Sequence, residues 1–222
     1  YLGYRKKEMP TISEMAEWLK NVGTETSQRL SMLLFPYLRG NILGIFDGQS
    51  RVSLRDTIAI DFDISNLEHG VLRPIAMYVV LNWIWEKFVK KNPDVRKIVV
   101  ADEGWQLLRY EDSAKYLEMY ARRIRKRNAS FIITSQFFED FTRNNEGKAI
   151  LTNASATVLM KQNEMDIDRV QEQYHLSDGQ RQFLESATSG EALLKIGKNL
   201  LAIRIDASPF EHEFVNTTPG GR

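Results

Sequence analysis

The chain has 222 residues, of which 43% are hydrophobic and 27% are charged. This length suits one α/β domain, or a core with a small subdomain, and it is long enough for a sizeable buried core. The net charge of +1 provides no overall attraction to nucleic acid or to acidic substrates, so any basic function must be local.

Residue usage argues against several kinds of site. The chain has no cysteine, which excludes disulfides and thiolate metal sites and is compatible with a reducing cytosol. Its three histidines, His69, His175 and His212, are scattered and give little support to a zinc site. No apolar run reaches the ~18 to 20 residues that span a bilayer, so we expect membrane contact to come through partners.

The first 90 residues are predicted to be helical around one strand. The stretch Thr11 to Glu14 has a helix-capping pattern, with Thr11 or Ser13 as the N-cap. A second helix is predicted from about Glu25 to Leu38. Further predictions are a loop or hairpin at Gly40 to Arg51, a central strand at Thr57 to Phe62 and a long helix with a core-packing stripe at Val71 to Lys90.

The stretch Lys97 to Trp105, KIVVADEGW, places two adjacent carboxylates at the end of an apolar strand. Asp102 and Glu103 thus have the layout of a Walker B site. In such a site one carboxylate holds a hydrated Mg²⁺ and the other orients or deprotonates the attacking water. The same residues also fit an ordinary strand followed by an acidic helix start, which the helix dipole favours.

A second strand, Ser130 to Thr134, ends at the polar pair Ser135-Gln136. A helix predicted from about Ser113 to Arg127 separates the two strands, and this order indicates a right-handed parallel crossover. Both strand ends then open on one edge, where parallel sheets bind ligands. The acidic pair and Gln136 could therefore face a single nucleotide, although Gln136 alone fits a γ-phosphate sensor and a helix-capping residue equally.

The run from Arg122 to Arg127 contains five basic residues among six. It fits a solvated helix end, where cations complement the dipole and the unpaired carbonyls. It also fits an arginine finger that reaches a neighbouring subunit's γ-phosphate, or a contact with DNA phosphates. The charges alone do not choose among these three alternatives.

Helices and strands are predicted to alternate over the remaining residues. A polar loop is predicted at Arg143 to Gly147 and a strand at Ala156 to Met160. Two short helices are predicted at Asp166 to Tyr174 and at Ser177 to Ser186, the second with a capping box of Ser177 and Gln180. Three alternating stretches predict a terminal hairpin or meander: Gly190 to Ile196, Leu200 to Ile205 and Phe210 to Val215.

Together these elements predict a three-layer α/β fold with a mainly parallel sheet, helices on both faces and a β-rich carboxy-terminal edge. We expect one domain with three successive parts. These parts are a helical segment at residues 1–56, the core sheet with both site strands at 57–160, and helices with carboxy-terminal strands at 161–222.

Five stretches carry a resemblance that covers most of the chain in order and spacing: Arg39 to Gly48, Ala76 to Trp85, Asp102 to Trp105, Arg125 to Gln136 and Gly190 to Gly197. As a set they resemble the carboxy-terminal motor domain of type IV secretion and conjugation ATPases, the VirB-four/TraC-like class. The resemblance implies a RecA-like P-loop NTPase core, similar to the HerA and FtsK translocases. It also implies homo-oligomers, typically hexamers, at the cytoplasmic side of the inner membrane, beside a secretion channel and other motor proteins.

The resemblance further implies ATP and Mg²⁺ as cofactors and assigns roles to individual residues. Asp102 would hold Mg²⁺ through water, Glu103 would be the general base or water-orienting group, and Gln136 would sense the γ-phosphate. Trp105 would pack beside the site. The candidates for a trans-acting arginine finger are, in order, Arg125, Arg127 and Arg123.

The chain contains no GxxxxGK[ST] loop, whose backbone amides and lysine cradle nucleotide phosphates. In the family this loop lies upstream of the Walker B strand. We therefore expect the chain to be the downstream part of a longer ATPase that depends on Glu103. The 222-residue chain alone is expected to have negligible activity.

Three functions from different classes fit these features. The first is an ATP-hydrolysing motor that energises type IV secretion or conjugative transfer across a bacterial envelope. The second is a DNA translocase of the HerA/FtsK type, which salt-dependent DNA binding by residues 122–127 would favour. The third is a non-catalytic scaffold with an ATPase-like fold, which a phosphate loop upstream would exclude. The sequence does not indicate whether DNA or protein is transported.

Overall fold

A computed structural model describes residues 10–49, 57–67, 70, 72–91 and 93–215. The chain divides into two compact units, Tyr1–Arg73 and Pro74–Arg222. The expected division into segments 1–56, 57–160 and 161–222 stays a prediction. His69 lies outside the described residues.

Helices form much of the first unit. α1 (Ile12–Val22) begins with a capping box in which Thr11 is the N-cap and Glu14 the reciprocal partner, as the capping pattern predicts. α2 (Glu25–Leu34) gives way to a 3-10 turn at Phe35–Tyr37, so the second predicted helix is confirmed with a tighter final turn.

Asp47 ties the loop that follows α2 to the start of α1. Its carboxylate, which is only 5% exposed, accepts hydrogen bonds from the Ser13 amide at 3.0 Å and from the Ser13 hydroxyl. The Arg39 amide donates a further hydrogen bond at 2.8 Å. These hydrogen bonds lower the pKa of Asp47, with the Ser13 hydroxyl making the largest contribution.

The predicted central strand at Thr57 to Phe62 is wrong, because these residues are irregular and pair with no strand in the described part of the chain. The side chain of Ile58 is 100% exposed. β-branched residues favour an extended backbone, but a strand also needs a neighbour that accepts its hydrogen bonds and packs against its side chains.

The second unit contains most of a long helix. α3 (Leu72–Trp83) continues into a π-helical segment at Ile84–Val89. Met77, Leu81 and Trp85 are buried at four-residue spacing, which confirms the predicted core stripe.

β1 (Lys97–Ala101) and β2 (Ala129–Ile133) pair in parallel. The connection between them contains a 3-10 segment at Gly104–Arg109, α4 (Glu111–Arg123) and a 3-10 turn at Ile124–Arg127. The predicted order of strand, helix and parallel strand is therefore confirmed.

An aromatic cluster packs α4 against β2 and the π-helical segment. The fully buried Tyr120 ring lies 4.9 Å from both the Trp85 ring and the Phe131 ring, centroid to centroid. One face of β1 is buried, whereas Ile98 and Val100 on the other face are 67% and 59% exposed. The buried face of the β1–β2 pair is thus the face against which the Tyr120 ring of α4 packs.

The chain after β2 forms two short helices, α5 (Glu139–Thr142) and α6 (Asn145–Asn153). The predicted loop at Arg143 to Gly147 is therefore wrong in its second half. Asn144 is the N-cap of α6, and its side chain accepts a hydrogen bond from the Gly147 amide at 2.7 Å. A single Asn N-cap without a Glu or Gln three residues later is a weak local signal.

The carboxy-terminal half contains the strands β3 (Ala156–Leu159), β4 (Glu191–Ile196) and β5 (Asn199–Arg204) and the helices α7 (Ile167–Tyr174), α8 (Asp178–Ser186) and α9 (His212–Val215). The three strands form an antiparallel sheet in the order β3–β4–β5. Its core joins sheet and helices through residues such as Leu159, Val170, Leu184 and Leu193.

The predicted hairpin is confirmed as β4 and β5, and the capping box of Ser177 and Gln180 is confirmed at α8. The third alternating stretch, Phe210 to Val215, is wrong as a strand because α9 occupies its end. Ser208 and Glu211 exchange hydrogen bonds in a capping-box pattern before that helix. The α/β class with a parallel sheet is confirmed, and the β-rich carboxy-terminal edge is antiparallel.

Candidate active site

The register of β1 and β2 brings two strand ends to one edge. Ala101 is paired with Ile133, and the amide of Thr134 donates to the Ala101 carbonyl at 3.3 Å. Asp102 and Thr134 are therefore the first residues beyond the paired strands. Because the strands are parallel, the polar residues that follow each of them lie side by side.

Thr134 fixes the backbone and side chain of the acidic pair. Its hydroxyl donates to Asp102 Oδ1 at 2.5 Å and accepts from the Glu103 amide at 3.3 Å. The same amide lies 3.1 Å from Asp102 Oδ1. Glu103 itself has φ 53° and ψ 26°, a left-handed conformation that is costly for a residue with a Cβ. The hydrogen bonds of its amide hold the chain in this conformation.

Both oxygens of the Glu103 carboxylate have a donor. The Trp105 indole Nε1 donates to Oε2 at 2.5 Å, and Gln136 Nε2 donates to Oε1 at 3.1 Å. The guanidinium of Arg109 lies over the Trp105 ring, 4.4 Å from its centroid. The structure therefore brings Asp102, Glu103 and Gln136 together, as the predicted crossover requires.

Gly104 allows the turn after the acidic pair to pass close to β2. A Cβ at this position would lie 2.7 Å from Ile133 Cγ1 and 2.9 Å from Ile133 Cδ1. Any larger residue would require the Ile133 side chain to move or the turn to shift. The glycine therefore allows the acidic pair to lie against the end of β2, where Thr134 and Gln136 contact it.

The donor set at this edge fits Mg²⁺ bound mainly through water. Asp102 is exposed, and its Oδ1 carries the hydrogen bonds described above, which leaves Oδ2 available for a hydrated ion. No group of three or more carboxylate or histidine side chains within the described ranges is arranged to hold a metal directly. Mg²⁺ in phosphoryl-transfer sites typically uses one or two carboxylates together with waters and substrate phosphates.

The arginine candidates lie at the other end of the strand pair. Arg123, Arg125 and Arg127 precede β2, and the amide of Lys97 at the start of β1 donates to the Asn128 carbonyl at 3.0 Å. The three side chains are exposed. One strand length separates them from the edge that carries Glu103, so these three arginines do not reach the Glu103 carboxylate of their own chain.

Sequence reasoning missed the contributions of Thr134 and of the Trp105 indole. The sequence places Thr134 at the end of an apolar strand and predicts packing for Trp105, but it indicates no hydrogen bond from either residue to the acidic pair. The signal available in the sequence is positional: a hydroxyl residue directly after one strand faces the residue directly after its parallel neighbour. Using this signal requires the register, which the sequence does not state.

Comparisons with known proteins agree with this geometry. A sequence model of the TraG P-loop domain matches residues 19–204. Protein TraC of Escherichia coli (strain K12) is 21% identical over 187 residues, which cover 76% of this chain and 21% of TraC.

The structure of VirB4 of Thermoanaerobacter pseudethanolicus is similar, with a TM-score of 0.83 and 28% sequence identity. The match covers 96% of this chain and 59% of the VirB4 chain, so this chain spans little more than half of that relative. The resemblance to VirB-four/TraC-like ATPases is confirmed. Within the described residues, no helix is both long and apolar enough to cross a membrane.

Proposed function

The chain belongs to the TraG P-loop domain family, and from this premise we propose that Asp102, Glu103 and Gln136 form the hydrolytic edge of an ATPase. One observation supports this proposal most directly. Gln136 lies 3.1 Å from Glu103 at the edge where Thr134 holds Asp102, so a water-activating carboxylate, an ion-holding carboxylate and a polar amide converge.

The three residues have separate tasks in the proposed reaction. Glu103 orients the attacking water and accepts its proton, because its carboxylate is held in place by two donors. Gln136 exchanges its contact with Glu103 for a contact with the γ-phosphate. Asp102 holds the water shell of Mg²⁺ through Oδ2, and this ion, when bound, neutralises charge on the phosphate oxygens.

The chain contains no GxxxxGK[ST] motif and spans 21% of TraC and 59% of the VirB4 chain. We therefore assign hydrolysis to a longer polypeptide that supplies the phosphate-binding loop. The 222-residue chain alone is expected to turn over negligible ATP. Substantial turnover by this chain would contradict the assignment of phosphate binding to another segment.

At the level of the whole protein, we propose a motor subunit that energises type IV secretion or conjugative transfer across a bacterial envelope. The proposed protein works as a homo-oligomer at the cytoplasmic face of the inner membrane, and the proposed oligomer is a hexamer. Secretion-channel and other motor proteins are its proposed partners. Hydrolysis at one subunit boundary would release contacts to Gln136 and to the neighbour's Arg125, which shifts the boundary between two packings.

A DNA translocase of the HerA/FtsK type is the second candidate function. The exposed side chains of Arg125, Lys126 and Arg127, which have no ion-pair partner among the residues that the structure describes, favour it. Such a protein would bind DNA with an affinity that falls steeply with salt and that drops when these three cations are neutralised.

The proposed function is tested by Glu103→Gln in the longer polypeptide. Removal of the proton-accepting carboxylate should lower kcat for ATP by about 10²- to 10⁴-fold while ATP binding persists. Steady-state phosphate release and equilibrium nucleotide binding provide the two measurements. Glu111→Gln, which changes an exposed carboxylate that pairs with Lys115, is the matched control and should leave turnover unchanged. Unchanged turnover in Glu103→Gln would remove Glu103 from the mechanism.

A further inference from the structure

A cleft of about 690 Å³ lies among α5, the start of α6 and α7. Its lining begins at Phe138, two residues after Gln136, and ends at His175. None of its lining residues belongs to the acidic edge, which consists of Asp102, Glu103, Thr134 and Gln136. The cleft is open to solvent, so a ligand bound there would stay partly exposed.

Three cations from separate segments line this cleft: Arg143 precedes α6, Lys148 lies on α6 and Arg169 lies on α7. Arg143 and Arg169 share one carboxylate, since Glu139 lies 3.6 Å from Arg143 Nε and 3.5 Å from Arg169 Nη1. The ammonium of Lys148 has no hydrogen-bond or ion-pair partner within the described ranges. Three cations face two lining carboxylates, Glu139 and Glu172, so the cleft keeps an excess of one positive charge.

The contacts between Glu139 and its two arginines are weak. Both distances exceed the usual range for an N–H···O hydrogen bond, and all three side chains are about half exposed, at 45%, 53% and 54%. Exposed ion pairs of this kind contribute little stability. A ligand with a larger negative charge can therefore displace the Glu139 carboxylate at small cost.

We propose that this cleft binds a small molecule that carries a phosphoryl group. The phosphoryl group would replace the Glu139 carboxylate between Arg143 and Arg169, and Lys148 would add a third positive charge. Guanidinium groups bind phosphate oxygens bidentately, and a dianion attracts both more strongly than a carboxylate does. Glu139 and Glu172 restrict the site to a compact anion, because an extended nucleic-acid backbone would bring further phosphates beside these carboxylates.

The test titrates the 222-residue chain with inorganic phosphate at constant ionic strength and follows backbone amide signals by NMR. Signals of Glu139, Arg143 and Arg169 should shift together. Replacing both arginines, Arg143→Gln with Arg169→Gln, should weaken phosphate binding about tenfold or more. Glu139→Gln should instead strengthen binding about twofold to fivefold, because the competing carboxylate is gone. A purely structural role for Glu139 would not produce tighter binding.

The matched control replaces Arg122 and Arg204 by Gln. This change removes two exposed arginines that pair with carboxylates outside the cleft, and it should leave the affinity for phosphate unchanged.

A second titration uses AMP: tighter binding than phosphate identifies a nucleotide-like ligand, and equal binding identifies free phosphate. The proposal is overturned if cleft signals do not shift, if Glu139→Gln binds no more tightly, or if a DNA oligonucleotide binds the cleft more tightly than either. Should the double arginine variant fail to fold, Glu139→Gln alone decides. All these variants retain Glu103, so failure here leaves the proposed ATPase function untouched.

Discussion

Thr134 shows how much one hydroxyl contributes to the acidic edge. It donates to Asp102 and accepts from the amide of Glu103, so a single side chain sets the direction of one carboxylate and the backbone of the next residue. The left-handed conformation of Glu103 costs about 1–2 kcal/mol for a residue with a Cβ, and these hydrogen bonds offset that cost. Backbone strain of this kind persists where several surrounding contacts fix the same conformation.

Thr134→Val in the longer polypeptide should reduce kcat for ATP about 10- to 100-fold, the range expected when a residue that orients a metal-associated ligand is lost. Valine keeps the shape of threonine but cannot donate to Asp102. Steady-state ATPase assays over a range of Mg²⁺ concentrations provide the measurement. Thr134→Ser retains the hydroxyl and should recover most of the activity. If valine and serine behave alike, the hydroxyl has no positioning role.

At the scale of the elements, an ionisable side chain connects a helix to a loop, so this contact depends on pH. Asp47 joins the loop after α2 to the first turn of α1 through Ser13. Its pKa is lowered in the folded chain, so its ionised form stabilises the fold. This contribution is present above the unfolded pKa, which is about 3.9, and is lost as the pH falls through the folded value.

Asp47→Asn should therefore destabilise the chain at pH 7, and the difference from the unchanged protein should shrink below about pH 4, near the unfolded pKa. Urea unfolding at a series of pH values measures both free energies of unfolding. Glu17→Gln on the exposed face of α1 provides the control and should have no comparable effect. A difference that is constant between pH 7 and pH 3 would contradict the assignment.

The aromatic cluster of α4 carries an unusual polar atom. The Tyr120 hydroxyl is buried and has no hydrogen-bond partner within the described part of the chain, and burial raises its pKa above the ordinary value. A buried hydroxyl without a partner costs free energy, whereas the ring itself packs against Trp85 and Phe131. The helix is thus anchored by the aromatic ring and not by the hydroxyl.

Tyr120→Phe should leave the free energy of unfolding unchanged or raise it by about 1 kcal/mol, because it removes an unsatisfied group and keeps the ring. Urea denaturation monitored by circular dichroism measures the change. Tyr110→Phe removes a hydroxyl from an exposed tyrosine and is the matched control. A clear destabilisation by Tyr120→Phe, without one in the control, would show that the hydroxyl has a partner in solution.

At the scale of the whole molecule, the position of the basic residues bears on the proposed arginine finger. Arg125 lies before β2, whereas Glu103 lies after β1, so the two residues stand at opposite ends of a parallel pair. An arginine at that position can approach only the acidic edge of another copy. Catalysis by such an arginine therefore requires an oligomer in which the two ends meet.

A mixing experiment with the longer polypeptide tests this arrangement. Glu103→Gln and Arg125→Ala should each be inactive alone, but mixed oligomers combine an intact Glu103 with a neighbour's intact Arg125. Random 1:1 mixing should restore activity to about one quarter of the unchanged protein, because one subunit boundary in four is then complete. Lys126→Ala, which removes the adjacent exposed cation, is the control for Arg125→Ala and should stay active. No recovery after verified subunit exchange would exclude Arg125 as the trans-acting arginine, and Arg127 and Arg123 would be tested next.

Local signals in the sequence were sufficient for several features. The capping boxes of Thr11 with Glu14 and of Ser177 with Gln180 predict the starts of α1 and α8, since the partners are three residues apart. The apolar stretch before Asp102 predicts β1, and the hairpin of β4 and β5 follows from alternation around a turn. Each of these predictions depends on neighbours within a few positions of the chain.

The tertiary structure decided what depends on pairing between distant residues. The β-rich run at Thr57 to Phe62 predicts a strand, but no described strand accepts its hydrogen bonds. The register of β1 with β2 decided that Thr134 holds Asp102 and that Gln136 contacts Glu103, across about 30 intervening residues. The sequence by itself determined the chemical groups of the acidic edge. Only the pairing of the strands determined which groups touch, because hydrogen bonds between strands are set by register and not by local composition.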